Sequence, residues 1–270
     1  MSELEGKVAV VLGASAEAGS GWGIAEALAA AGCKVVVGAR SQEPIERLAE
    51  KIAGVGVVCD VSSEEQVKNV AETALREYGK LDIAVNAAGM PLLKTISDIE
   101  QPDLETTTKV NYYANVYFVK HMAAAIEQDG SIILITSLST ERPVFPHAAY
   151  ACAKAASDCL VRYAAIEYGP KNIRVNSILP GMIVSDMSAE ILSAPGMMET
   201  FTREVPLGHL GYPKDYANAV LWLAGPAFVT GVNIPVAGGA QLTRFPRPDE
   251  YPDAEKAWDV DPGTHSNRGT

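Results

Sequence analysis

A chain of 270 residues with 48% hydrophobic and 20% charged side chains can bury a sizeable core as one large domain. Its net charge of −11 and pI near 4.9 argue against phosphate-backbone binding as the main task, because nucleic-acid binders cluster lysine and arginine. The opening Met-Ser-Glu-Leu-Glu-Gly-Lys lacks a basic and then apolar leader, and no run of eighteen apolar residues follows, so a soluble, cytoplasmic protein is expected, with neither nucleic acid nor membrane as partner.

In chain order, the apolar run 7–12 reads as a strand, and a glycine-rich turn from Gly13 through Ser15, Gly21 and Gly23 to Ile24 follows it. A helix is predicted over 23–31. Glycines at such a strand-to-helix turn let backbone N–H groups approach a pyrophosphate at the positive end of the helix dipole. A second strand, 34–38, leads to Ala39, Arg40 and Ser41, where an NAD site would normally carry a carboxylate for the ribose 2′-hydroxyl. A guanidinium there suits a 2′-phosphate and Ser41 adds a donor, so NADP (NADPH) is expected over NAD.

A helix over 43–52 and a strand over 56–59 come next, with Asp60 and Val61 placed to meet the adenine. Helix 64–78 and strand 83–86 lead to Asn86, Ala87, Ala88 and Gly89, small residues where the backbone must pass close to a cofactor. One long helix is predicted over 103–126, with Asn111 inside it. Strand 131–136 then delivers Ser137, and helix 149–168 carries Tyr150 and Lys154. Positions i and i+4 share a helix face, so the ammonium can lie beside the phenol. A free phenol titrates near pH ~10, and a neighbouring cation favours its ionised form.

Strand 174–179 ends at Pro180, Gly181 and Ile183, further candidates for the cofactor site. Residues 182–206 hold Met182, Met187, Met197, Met198 and Phe201, a composition that suits either a substrate lid or ordinary core-covering helices. Helix 213–223 and strand 233–236 complete the alternation. Seven short apolar strands separated by helices imply a Rossmann-type, doubly wound α/β sheet with helices on both faces, in one domain over 1–243. Residues 244–270 hold prolines, charges and Phe245, Tyr251 and Trp258, and read as a tail or as an arm laid on a neighbour.

Cys33, Cys59, Cys152 and Cys159 show no metal spacing and are expected as buried, reduced thiols; Cys152 and Cys159, two helical turns apart, would sit ~10 Å apart, beyond disulfide reach. The histidines are scattered, so no zinc site and no histidine triad is expected.

The glycine turn, Asp60, Asn86 to Gly89, Asn111, Ser137, Tyr150, Lys154, Pro180-Gly181 and Gly238-Gly239 together resemble the short-chain dehydrogenase/reductase family over residues 5 to 243. The resemblance implies an NAD(P)-dependent oxidoreductase that interconverts a secondary alcohol and a ketone. Tyr150 would be the general acid or base, Ser137 would hold the substrate oxygen, Lys154 would bind the nicotinamide ribose and lower the phenol pKa, and Asn111 would help position a water. It also implies a homotetramer or homodimer built through the helices at 103–126 and 149–168. The apolar lid composition favours a hydrophobic or bulky ketone or alcohol as the small-molecule substrate.

The turn is longer than the family's usual Gly-x-x-x-Gly-x-Gly and in this is similar to the enoyl-thioester reductase branch. That branch spaces its tyrosine and lysine more widely than Tyr150 and Lys154 are spaced, so alkene reduction ranks second. A catalytically inactive NADP-binding sensor is a third possibility. A serine hydrolase lacks support, since Ser137 stands outside any Gly-x-Ser-x-Gly elbow.

Overall fold

The computed structural model describes residues 3–251. Seven parallel strands form one sheet in the order β3-β2-β1-β4-β5-β6-β7: β1 Val8–Leu12, β2 Lys34–Ala39, β3 Val55–Val58, β4 Ile83–Asn86, β5 Ser131–Ile135, β6 Arg174–Pro180 and β7 Asn233–Val236. The helices are α1 Ser20–Ala30, α2 Gln42–Lys51, α3 Glu64–Tyr78, α4 Gln101–Thr108, α5 Ala114–Ala125, α6 Ala148–Tyr168, α7 Ala189–Ser193, α8 Met197–Thr202 and α9 Pro213–Ala224. The expected doubly wound architecture is what forms. Among the described residues no helix is long and apolar enough to cross a membrane, and no group of residues could hold a metal ion.

Strand sequences are apolar throughout because both faces are covered. Along β1, Ala9 and Val11 enter the core under α1, α2 and α9, while Val8, Val10 and Leu12 enter the core under α3, α5 and α6. Local signals set the helix ends. Ser63 accepts a bond from Gln66 N at the start of α3, and Gly79, at φ 77°, ends it.

The strand order reverses between β1 and β4, so the connections after them splay apart and leave a crevice at the carboxyl ends of the strands. The candidate residues gather there.

Four expectations are corrected by the structure. The helix predicted over 103–126 is interrupted by a π-helical turn, Lys109–Tyr113, between α4 and α5. Asn111 causes the interruption chemically: its side-chain Nδ2 donates to Thr107 O at 3.0 Å, capturing a carbonyl that a backbone amide would otherwise use. Helix α1 starts at Ser20 rather than Gly23, so the glycine turn is shorter than its sequence suggests. Cys152 and Cys159 are exposed, on the outward face of α6, whereas Cys33 and Cys59 are buried as expected; all four are free thiols.

The tail supplies the fourth correction. Its first part lies on this chain's own 182–206 segment. Phe201 stacks on Tyr251 at 5.9 Å and meets Phe245 edge-on at 6.3 Å. With Leu192, Met197 and Leu210 they form a small apolar cluster separate from the two sheet cores. Arg244 pairs with Glu250 and Glu204, which pins the strap from the polar side. The strap folds back because Phe201, on a helix too short to bury it against the sheet, needs an apolar cover. Trp258 lies outside the described residues.

Candidate active site

Tyr150 and Lys154 occupy successive turns of one face of α6, with the ammonium 5.8 Å from the phenol ring centroid. Lys154 is 2% exposed and its Nζ donates to Ile135 O, at the end of β5, at 2.9 Å. A lysine so buried loses hydration that favours its charged form, and its pKa falls to about 8. Asp158, one turn further along α6, counters part of that fall.

The phenol behaves differently from expectation. Burial pushes Tyr150 up to about 12, against a lowering influence from the Ser137 hydroxyl, and Lys154 is not among the groups that lower it. The i, i+4 arrangement brought the pair together, but the ammonium is drawn to the Ile135 carbonyl and desolvation dominates both groups.

Ser137 follows β5 and caps a short 3-10 turn, Leu138–Thr140. Its Oγ accepts from Ser139 N at 3.2 Å and from Ser139 Oγ at 2.9 Å. With both acceptor positions engaged, the hydroxyl proton of Ser137 is left to donate outward, toward the phenol or a substrate oxygen. Thr140 Oγ1 donates to Ser137 O at 2.9 Å and fixes the turn.

Asn111 is fully buried in the π turn. Its Nδ2 donates to Met90 O at 2.9 Å and its Oδ1 accepts from Met90 N at 3.2 Å, so the side chain holds the segment after Gly89. Its main-chain carbonyl accepts from Asn115 Nδ2 at 3.0 Å and Ser157 Oγ at 2.8 Å. Asn115 Oδ1 in turn accepts from Asn86 Nδ2 at 2.7 Å, and Asn86 Oδ1 accepts from Ala88 N at 3.1 Å. A closed polar network therefore ties β4, α5 and α6 together behind the site. The sequence reading missed Asn115 and Ser157; no spacing marks them, because their partners come from separate elements.

The dinucleotide candidates line the same crevice. Gly13, at φ +78°, has no room for a side chain: a Cβ would stand 2.4 Å from Ala88 N. A Cβ on Gly21 would stand 2.3 Å from Gly13 O, so the turn and the start of α1 are packed backbone to backbone. Helix α1 has no side-chain cap at Gly19 and no acidic residue in its first turn, which leaves its amides and dipole for an anion. Ser15 lies half-buried within the turn.

Gly23 and Ile24 do other work. A Cβ on Gly23 would meet Pro213 of α9 at 3.1 Å, and the Ile24 side chain is fully buried in the sheet core, so only their backbone faces remain for a cofactor. Arg40 and Ser41 are exposed at the end of β2, and Ser41 spends no hydrogen bond on capping α2. Asp60 accepts from Ser62 N at 2.8 Å and Ser62 Oγ at 2.7 Å; against burial, these bonds and the Arg40 charge hold its carboxyl below the usual range. Val61 is buried.

Gly89 stands between the two halves of the site, since a Cβ there would lie 3.2 Å from Lys154 Nζ and 3.3 Å from Asn111 Oδ1. Pro180 closes β6, and a Cβ on Gly181 would meet that of Ala237 at 3.2 Å. Ile183 forms a parallel bridge with Gly211 at the root of the 182–206 segment. Side-chain-free backbone, an uncapped helix start and a buried ammonium in one crevice fit a dinucleotide.

Comparison with known proteins gives a consistent pattern. Residues 13–241 match the family described as enoyl-(acyl carrier protein) reductase. The chain is 34% identical over 245 residues to the 7alpha-hydroxysteroid dehydrogenase of Escherichia coli K12, covering 87% of this chain and 94% of that one. It is 30% identical over 243 residues to tropinone reductase-like 3 of Erythroxylum coca, covering 87% and 93%. A solved short-chain type dehydrogenase/reductase from Mycobacterium ulcerans superposes with a TM-score of 0.85 at 28% identity, covering 90% of this chain and 92% of that chain.

Proposed function

The chain belongs to the short-chain dehydrogenase/reductase family, and we propose that within it the protein interconverts a secondary alcohol and a ketone with NADP(H). The observation that carries this proposal is the convergence of Tyr150, Ser137 and Lys154 from β5 and α6 beside a dinucleotide crevice. When bound, the cofactor supplies or accepts hydride. In the reductive direction the buried phenol, protonated at neutral pH, donates its proton to the carbonyl oxygen, and the free proton of Ser137 polarises that oxygen. Lys154 holds the nicotinamide ribose and places positive charge near the phenol as it ionises. Asn111 positions the wall of the crevice through Met90 and the carbonyl it shares with Asn115 and Ser157. The oxidative direction runs through the same groups in reverse.

Gly13, Ser15, Gly21, Gly23 and Ile24 contribute backbone to the pyrophosphate side; Asp60, Val61, Asn86, Ala87 and Gly89 flank the adenine and riboses; Pro180, Gly181 and Ile183 close the nicotinamide end. Arg40 and Ser41, exposed at the end of β2, support NADP over NAD. Relatives named for a hydroxysteroid and for tropinone support a bulky cyclic ketone or alcohol as substrate. Tyr163 and Ile166, 70% and 80% exposed on α6, support a homo-oligomer formed through that helix.

The test is NADPH oxidation across a panel of cyclic and open-chain ketones, paired with conjugated enoyl thioesters. Ketone turnover that disappears in Tyr150→Phe supports the proposal; turnover of the enoyl thioesters alone overturns it. The enoyl reading has specific support in the wide spacing of Gly13 and Gly21 and in the description of the matched family. Arg40→Ala should weaken NADPH about tenfold and leave NADH nearly unchanged; equal effects on both would remove the basis for NADP.

A further inference from the structure

Asp158 is a buried carboxyl that the chemistry above does not use. It is 7% exposed and lies one turn beyond Lys154 on α6. Ser177 Oγ of β6 is 3.3 Å from Asp158 Oδ1, and the hydroxyls of Thr140, in the turn after Ser137, and Thr136, at the end of β5, also favour the charged form of this carboxyl. The single proton of Thr140 Oγ1 goes either to Ser137 O, at 2.9 Å, or to the carboxyl, so this hydroxyl stands between the carboxyl and the turn that aims Ser137. On β7, Asn233 Oδ1 accepts from Ser177 Oγ at 2.8 Å and its Nδ2 donates to Asp158 O at 3.3 Å.

The charged and titratable groups around it are few. Lys154 and Tyr150 precede it on α6, and Arg162 follows, but the Arg162 guanidinium donates to the Asp158 main-chain carbonyl at 3.1 Å rather than to the carboxyl. Among the described residues, the groups that face it from β5, β6 and β7 are the hydroxyls and the amide of Asn233. Lys154 is thus the cation acting on this carboxyl, and Asp158 the anion acting on that ammonium. A buried acid in such a place is costly unless its hydrogen bonds or its charge are used.

We propose that Asp158 is a positioning residue for the reaction assigned above: its carboxyl fastens the Ser137 turn to α6, and its charge answers the buried ammonium of Lys154. This rests on the assigned chemistry. Asp158, buried one turn beyond Lys154, acts through Ser137 and Lys154. Burial raises its own pKa, and the hydroxyls of Thr140, Thr136 and Ser177, followed by the Lys154 charge, oppose that rise. Removing the charge should lower the titration of Lys154 and of Tyr150, since Asp158 raises both.

The deciding experiment titrates Lys154 in protein labelled with 13C at the lysine ε carbon, its signal assigned through Lys154→Arg. In Asp158→Asn the midpoint should fall by about one pH unit; an unmoved midpoint overturns the electrostatic half. Should the amide variant not fold, Asp158→Ser serves the same purpose. In kinetics, the alkaline limb of ketone reduction should move down with the midpoint in Asp158→Asn, which a merely structural residue would not cause. Asp158→Ala, which loses the tie as well as the charge, should lose about a further tenfold in kcat; equal kcat in the two variants overturns the tie. If wild-type protein turns over no ketone or alcohol, the assigned chemistry fails, yet the NMR titration still decides the role of Asp158.

Discussion

The crevice behind Tyr150 and the cluster around Phe201 are built on opposite plans. Around Lys154 the structure spends buried asparagines, a lysine, an aspartate and several hydroxyls, each satisfied by partners from a different strand or helix. Around Phe201 a handful of apolar side chains from two short helices and a strap cover one another and little else. Polar networks with fixed geometry hold groups to the tolerance that proton transfer needs, whereas a small apolar cluster can open and re-form at low cost. Under the proposed chemistry, the difference separates the residues that would run the reaction from a segment that would admit the substrate.

The sharpest test of that division is kinetic. Tyr150→Phe should reduce kcat by about 10²–10⁴ while NADPH binding, followed by fluorescence, persists. Comparable loss from a change in the Phe201 cluster would erase the distinction.

Next is a matched pair of core truncations. Phe118→Ala, in the core under α5, should cost about 3–5 kcal/mol in denaturant unfolding. Phe201→Ala should cost less globally and instead raise KM and speed amide exchange over residues 189–202. Equal global losses would mean that the lid belongs to the main cooperative unit.

Lys154→Met probes the crevice through stability. Wild-type Lys154 binds its proton less tightly folded than unfolded, so between about pH 8 and the ordinary lysine range near ~10.4 the unfolded chain carries more protons and stability rises with pH. Tyr150, raised to about 12, has the opposite sign: the unfolded phenol ionises first above pH ~10, and stability falls there. Lys154→Met should remove the rise and equal or exceed wild-type stability at neutral pH by about 1–2 kcal/mol, with no turnover. A loss of several kcal/mol on that substitution would show that the ammonium is a structural support.

The smallest expected effect is truncation after Thr243, which removes Phe245, Tyr251 and the Arg244–Glu250 pair. KM for bulky ketones should change several-fold and kcat for small ones little, since the strap packs on the 182–206 segment and not on the crevice. Unchanged KM across substrate sizes would leave the strap without a role in admission.

Much of this was legible residue by residue. The β-branched runs predicted all seven strands to within about a residue or two, because strands buried on both faces must be apolar throughout. The turn after β1 was recognisable because Gly13 can be replaced by nothing larger. The interrupted helix was not legible: residues 101–125 carry one continuous helical pattern, and only the capture of the Thr107 carbonyl by Asn111 converts its middle to a π turn. The exposure of Cys152 and Cys159 depends likewise on which face of α6 the sheet takes.

By itself the sequence determined the alternation of strand and helix, the class of chemistry and the face shared by Tyr150 and Lys154, since these follow from local periodicity and from side-chain identity. Tertiary structure alone decided that burial, rather than the neighbouring ammonium, governs the phenol; that Asn115, Ser157 and Asp158 pack behind Lys154 and Ser137; and that the strap covers the chain's own 182–206 segment. Those outcomes depend on desolvation and on contacts between residues far apart in the chain, and neither quantity exists until the elements have packed.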